Sequence, residues 1–507
     1  MSDRRKQITL GAILSYFSIS FNIIAGLLYT PWMVRQIGQN QYGLYTLATS
    51  LISIFLVDFG LSSATARYTS KYHAEGDDEK VNIFLGTVYK LYLIIDVVIF
   101  LALIIVYVFS GDIYKSLTPK ELSQFKGVYL IAATYSLLSF PFITLNGILT
   151  ANERFIEQKL GDLIQRALTI VFVVIALING MGLYALVAAN AIAGIIVILY
   201  KLAMIKRHTK VKVNFHESVP GMLKEIFGYS VWMTIASLAQ RLVFNITPSI
   251  LGMVASSAAI AVFGIVNTIE GYAYNITNAI NGMFMPKISR IYAGTDYETS
   301  VQPLLLRVGR FQYAMNGLIV AGFAVVGRQF INLWMGAEYI DAYYGLLFVL
   351  VPGLFYNSLQ IGHTSLMVKN KVNITAYVNL GMGILNIILC YFLARWMGVI
   401  GASLAIFISY MVRAVALNII YDKVLELNIR EFVRKCYVKM SPTVLLTIGF
   451  GFLVQKIVGS GGWMKLSITG IVVASIYFGL LLTIGLEKTE KDVVFTKLRN
   501  IIHRGTK

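Results

Sequence analysis

The residues of this chain best placed to do chemistry are the charges that fall inside its long apolar stretches. Arg241 lies fifteen positions into the 28-residue stretch Phe227–Val254, close to its middle. A side chain there reaches only about 6–7 Å, whereas the membrane–water interface lies about 15 Å away. The guanidinium must therefore meet a wet cavity or a counter-charge. Glu270, thirteen positions into Ala258–Met285, is a candidate counter-charge for it. Asp58 lies seventeen positions into Tyr42–Ala66, and Arg67 follows nine residues later at the cytoplasmic end. Asp58 can bind a coupling ion or form a helix-packing hydrogen bond, with Gly60 allowing close helix approach. Lys90 and Asp96 share the long stretch Val81–Ser110, but six residues turn a helix by about 600°, which leaves them about 120° apart. They are not an ion pair along one face. Arg166 and Arg413 lie near cytoplasmic ends, where snorkelling accounts simply for Arg413. The lone His363 reads as hydrogen-bonded packing rather than a proton relay.

An ionisable group at mid-membrane costs about 2.5–3.5 kcal/mol even on a lenient insertion scale, so these residues are expected to work. A cationic, apolar drug calls for anionic groups. A pyrophosphate calls for Arg and Lys, because the guanidinium fork matches phosphate oxygens. The balance of Arg67, Lys90, Arg166 and Arg241 against Asp58, Asp96 and Glu270 tips towards an anionic substrate, with the carboxylates pairing with the arginines or taking Na+ or H+ as coupling ion. Some of the 30 tyrosines and 29 phenylalanines can stack on sugar faces.

The elements that must hold these groups are membrane helices. The chain has 507 residues, of which 57% are hydrophobic and 13% charged, where a soluble protein would be about a quarter charged. The apolar stretches predict an all-α polytopic membrane protein of about fourteen transmembrane helices. The net charge of +18 supports that topology. With both termini cytoplasmic, the inside segments hold 31 Lys and Arg and the outside segments 8, the bias that orients membrane proteins. The basic segment between Lys201 and Lys224 then reads as an anchor on anionic headgroups rather than a nucleic-acid site. Cys390 and Cys436 match neither a disulfide framework nor a Cys/His metal spacing, so no metal or other cofactor is expected. Outside loops of no more than about 20 residues and the lack of an acid–base constellation argue against an enzyme of glycan assembly. No Walker-type glycine–lysine run supports ATP hydrolysis.

The expected domains are a six-helix lobe at 1–205, a basic cytoplasmic linker at 206–225, a second six-helix lobe at 226–421, and two additional helices with a cytoplasmic tail at 422–507. The two lobes rest on weak recurrences about 217 positions apart: Thr30-Pro31 with Thr247-Pro248, Leu149–Arg154 with Leu366–Lys371, and the segment from Gly182 with that from Gly398. An even number of spans per repeat puts their pseudo-two-fold axis along the membrane normal, as in transporters that rock one half against the other.

The stretch Gly38-Gln-Asn-Gln-Tyr42-Gly43-Leu44, followed by Asp58-Phe59-Gly60-Leu61 and then Arg67, resembles bacterial polysaccharide flippases of the multidrug/oligosaccharidyl-lipid/polysaccharide exporter superfamily. Ala261–Gly264 and Pro286–Ser289 are approximate counterparts in the second half. The resemblance implies alternating access that moves undecaprenyl-pyrophosphate-linked oligosaccharide across the bacterial cytoplasmic membrane. It gives Arg67 a phosphate-contact role and implies the lipid bilayer, a lipid-linked oligosaccharide and a polysaccharide polymerase as partners. An ion-coupled multidrug antiporter on the same scaffold is the alternative.

Overall fold

The computed structural model describes residues 3–217, 221–278, 284–294, 296, 300–487 and 490–491; the tail beyond lies outside the described residues. Helices dominate, and there is no strand among the described residues. Among the described residues, ten helical segments are long and apolar enough to cross a membrane. One of them, Val372–Leu425, is 54 residues long and breaks at Gly398 (φ 55°, ψ −128°). At 1.5 Å per residue that length is more than twice a hydrocarbon core of about 30 Å. The protein is multi-pass.

One compact unit comprises residues 1–267 with 372–405. It begins with α1 (Asp3–Ile37), α2 (Gln39–Phe55), α3 (Leu61–Ala74) and α4 (Asp78–Ile113). There follow α5 (Pro119–Ser139), α6 (Thr144–Ala151), α7 (Phe155–Ile178) and α8 (Gly182–His208). Thr118 and Glu121 form a reciprocal capping box that starts α5, with Pro119 in its first turn. After α8 the basic segment is tied to the protein by two hydrogen bonds. Asn214 N–H donates to the Asn82 carbonyl (3.0 Å) and Lys212 N–H to Asn82 Oδ1 (2.7 Å), which fixes the segment to the start of α4. Gly86 makes this approach feasible: a Cβ there would fall 1.8 Å from the Asn214 carbonyl oxygen. Helices α9 (Met222–Phe244), α10 (Thr247–Val254) and the first part of α11 (Ser257–Asn278) complete the first stretch of the unit.

The other unit comprises residues 268–371 with 406–507. Its helices beyond α11 are α12 (Met285–Tyr292), α13 (Gln302–Trp334), α14 (Asp341–Tyr356) and α15 (Gln360–Val368). The long α16 (Val372–Leu425) contributes its second part, and α17 (Ile429–Phe432), α18 (Lys439–Val458) and α19 (Gly462–Leu480) follow. Two π-helical turns, Val433–Val438 and Leu481–Gly485, flank α18 and end α19. Arg310 of α13 lies between them, only 3% exposed. Its Nε and Nη2 donate to the two carboxylate oxygens of Glu490 at 2.7 Å each, and Nη2 also donates to the Gly485 carbonyl at 2.7 Å. Nη1 donates to the Lys435 carbonyl. Burial alone would raise the Glu490 carboxyl, but hydrogen bonds from Arg310 and from the Glu487 N–H, with the Arg310 charge, hold it below its ordinary value.

The backbone repeats itself at the spacing seen in the sequence. A 3₁₀ turn starting at Phe140 interrupts α5–α6, and another starting at Asn357, 217 positions later, interrupts α14–α15. Glu153 (φ 57°) and Asn370 (φ 58°), again 217 apart, take the same left-handed conformation after α6 and α15. Non-glycine residues seldom adopt that conformation, so its recurrence at one offset is far more informative than the sequence matches.

Candidate cation-lined transport site

The expected single helix through Asp58 is in fact two helices. α2 ends at Phe55 and α3 starts at Leu61, with Phe59 (φ 52°) and Gly60 (φ 68°) both left-handed between them. Gly60 therefore serves the turn, not the close helix packing expected from its sequence. A break exposes helix-end carbonyls and N–H groups that need partners. Arg241, in the last turn of α9, donates from Nη1 to the Ser53 carbonyl near the end of α2. Its positive charge is thereby set at the negative end of that helix. Asp58 takes the other side of the break: its Oδ1 accepts from Gly60 N–H (2.8 Å), and its carbonyl accepts from Leu61 N–H (2.9 Å). Asp58 is also the charge that acts on Arg241, and it acts on Tyr92 of α4. Arg241 and Asp58 are both half-buried. The pair is thus joined to a broken helix and still reachable.

Arg166 of α7 is half-buried within electrostatic reach of Tyr29 of α1 and Tyr45 of α2, and its Nε has no hydrogen-bond partner. Lys90 and Asp96 are half-buried on α4, and Asp96 Oδ1 lacks a hydrogen-bond partner. Arg67 is exposed near the middle of α3, its guanidinium 5.6 Å from the Tyr68 ring centroid. The fold thus brings Arg241 within electrostatic reach of Asp58 and leaves Arg67, Lys90 and Arg166 as separate cationic stations of the same unit. Lys201 was missed as a member of this group. It is only 7% exposed, donating to Asp162 Oδ1 (3.0 Å) and Asn146 Oδ1 (2.9 Å). The available signal was that α8 continues to His208, two turns past the end of the apolar run.

In the other unit Arg413 is 5% exposed and does not snorkel. Its guanidinium carbon sits 4.2 Å from the Tyr356 ring centroid and 5.7 Å from that of Tyr410, with Nε lacking an acceptor. Its charge also acts on His363 and Tyr421, and Glu270, half-buried, acts on Tyr410. Aromatic faces are the substitute for carboxylates here, since a ring stabilises a desolvated guanidinium through its quadrupole. The apolar run around Arg413 supplied Tyr410 and Tyr421 but gave no sign of the stacking ring, because Tyr356 comes from α14 and His363 from α15.

In the first unit the groups can receive an anion: guanidinium and ammonium donors, few carboxylates, and rings with polar tips. Among the described residues no cluster of His, Cys, Asp and Glu could hold a metal ion. Residues 8–292, more than half of the chain, match the family described as polysaccharide biosynthesis protein. The chain belongs to that family. Its relatives include a putative O-antigen transporter of Shigella flexneri, 22% identical over 77% of this chain and 92% of the relative. A probable low-salt glycan biosynthesis flippase of Haloferax volcanii is 20% identical over 97% of this chain and 96% of its own length. The fold is that of a lipid II flippase in an inward closed conformation (TM-score 0.69, 17% identity, 93% of this chain and 98% of that one). An inward-facing multidrug resistance transporter shares it (TM-score 0.68, 15% identity, 80% and 96% covered).

Proposed function

We propose that this polysaccharide biosynthesis protein is a flippase. It moves an undecaprenyl-pyrophosphate-linked oligosaccharide across the bacterial cytoplasmic membrane by alternating access, for surface polysaccharide assembly. The observation that carries this is Arg241 at the α2–α3 break, held by one carbonyl and the Asp58 charge and still half-exposed. A guanidinium with donors to spare inside a membrane helix matches a diphosphate. The names of the two relatives support the glycan over a drug as cargo.

In this scheme Arg241, Arg67, Lys90 and Arg166 receive the diphosphate. Asp58, Glu270 and Asp96 release or engage them by ion pairing or by taking Na+ or H+. The chain is a transporter rather than an enzyme. Its fourteen spans form two six-helix lobes (1–205 and 226–421) around a cytoplasmic linker, followed by two additional helices and a tail, with both termini inside. The polyprenyl tail stays in lipid throughout, which spares the cost of wetting apolar chain. A polysaccharide polymerase receives the product outside.

Arg241→Ala tests the site. Export of surface glycan is expected to fall to background while the protein reaches the membrane at its normal level, and lipid-linked glycan accumulates on the inner leaflet. Normal export in that variant rejects the assignment. Drug resistance that rises on overexpression and disappears in Asp58→Asn would instead establish the antiporter.

A further inference from the structure

At the end of α13 away from Arg310, the second unit carries an open cavity of about 780 Å³. Nineteen residues separate Arg310 from Gln329, about 28 Å along the helix, so the two lie near opposite surfaces of the membrane. The cavity is lined by Arg328, Gln329, Asn332, Gln455, Lys456 and Ser460, with the glycine-rich turn between α18 and α19. Among the described residues, no acidic side chain lines it.

Three observations of different kinds converge there. Gln329 is only 8% exposed; its Nε2 donates to the Gly462 carbonyl (3.3 Å), while its Oε1 has no partner. The start of α19 follows Gly461, which provides no side-chain cap, so the first N–H groups of a 19-residue helix have no side-chain acceptor there. Finally, cations are scarce on the side that the proposed topology places outside, 8 against 31, yet Arg328 and Lys456 both line this cavity. Lys465 Nζ comes within 3.4 Å of the Cβ position of Gly459 in the same turn. Lys456, in the last turn of α18, also complements that helix end; Arg328, six residues before the end of α13, has no such role.

We propose that this cavity is a second binding site, on the outer face, for a phosphate that carries neighbouring hydroxyl groups. Arg328 and Lys456 take the phosphate beside the start of α19, and Asn332 and Gln455 take the hydroxyls. Two lipids present that chemistry: the sugar diphosphate of the exported lipid-linked glycan, and the glycerol phosphate of an anionic phospholipid. The outer position rests on the topology of the proposed function, and the site holds its ligand independently of Arg241.

Both native cysteines, Cys390 and Cys436, are buried, so a single introduced thiol can report on the cavity. Ser460→Cys, at an exposed position of the lining, is labelled with a membrane-impermeant maleimide. Labelling in intact cells is expected; labelling only after permeabilisation overturns the outer placement and the proposed topology with it. In purified protein, geranyl diphosphate N-acetylglucosamine is expected to slow labelling at least threefold. Nanodiscs of phosphatidylglycerol are compared with nanodiscs of phosphatidylcholine. Protection by the soluble diphosphate sugar assigns the site to the glycan, and protection by phosphatidylglycerol alone assigns it to the phospholipid; either supports the proposal. Arg328→Ala with Lys456→Ala should abolish protection, and Arg241→Ala should leave it unchanged. Protection by neither probe overturns the site, as does protection that survives the double substitution or disappears in Arg241→Ala.

Discussion

Two arginines divide this molecule into a region that is closed and a region that is open. Arg310 spends its donors on a bidentate carboxylate and two carbonyls contributed by π-helical turns, and it is 3% exposed. Arg241 makes one described hydrogen bond, to a helix-end carbonyl, feels one carboxylate, and is half-buried. The amino acid is the same; what differs is burial and saturation. A guanidinium with four of its five N–H donors engaged fixes a helix end in place, and one with most donors left over can exchange partners. Arg413 stands between them, stacked on Tyr356 with its Nε unpaired.

The largest expected effects are opposite in kind at the two sites. Arg310→Ala leaves the Glu490 carboxylate without its partner, and breaking such a pair costs about 3–5 kcal/mol. The melting temperature in detergent should fall steeply and the amount in the membrane with it. Arg241→Ala should reduce export at least tenfold and shift the melting temperature little. If Arg241→Ala destabilised as strongly as Arg310→Ala, the distinction between the open and the closed arginine would be lost. Next in size is Asp58→Asn, which keeps the hydrogen bond to Gly60 N–H but removes the charge beside Arg241. Export should fall several-fold with its pH profile altered; an unchanged pH profile would restrict Asp58 to holding the helix break.

A smaller effect is expected from acid at the closed site. Glu490 has its carboxyl lowered by the fold, so its stabilisation is complete above the ordinary glutamate value and is lost as pH falls through the lower folded value. The difference in melting temperature between the protein and its Glu490→Gln variant should be constant from neutral pH down to about 5 and close below about 4. A difference that grew on acidification would contradict this sign. The smallest effect is Arg413→Lys, which keeps the charge but loses the flat stacking on Tyr356, for about 1 kcal/mol of stability. No change in melting temperature would mean that the ring contact contributes nothing.

Much of the scaffold was legible in the chain. Apolar runs of membrane length located the long helices, since hydrocarbon forces every backbone group to bond within its own helix. The Thr118–Glu121 cap and Pro119 were written locally as well. The interruption at Asp58 was less legible: Asp58-Phe59-Gly60 was visible as a motif, but nothing local says that Phe59 will accept a left-handed conformation. The same holds for Arg413, whose stacking Tyr356 comes from another helix, and for Lys201, whose Asp162 and Asn146 lie 39 and 55 positions away.

The sequence by itself determined that this chain crosses a membrane many times and carries more positive than negative groups within it, because the cost of exposing polar atoms to hydrocarbon is set residue by residue. It also contained the 217-position spacing that the backbone repeats. Only the tertiary structure decided which buried charges are finished and which are free to act. That depends on how many donors find acceptors, and those acceptors are brought together from distant positions by packing, which no local pattern encodes.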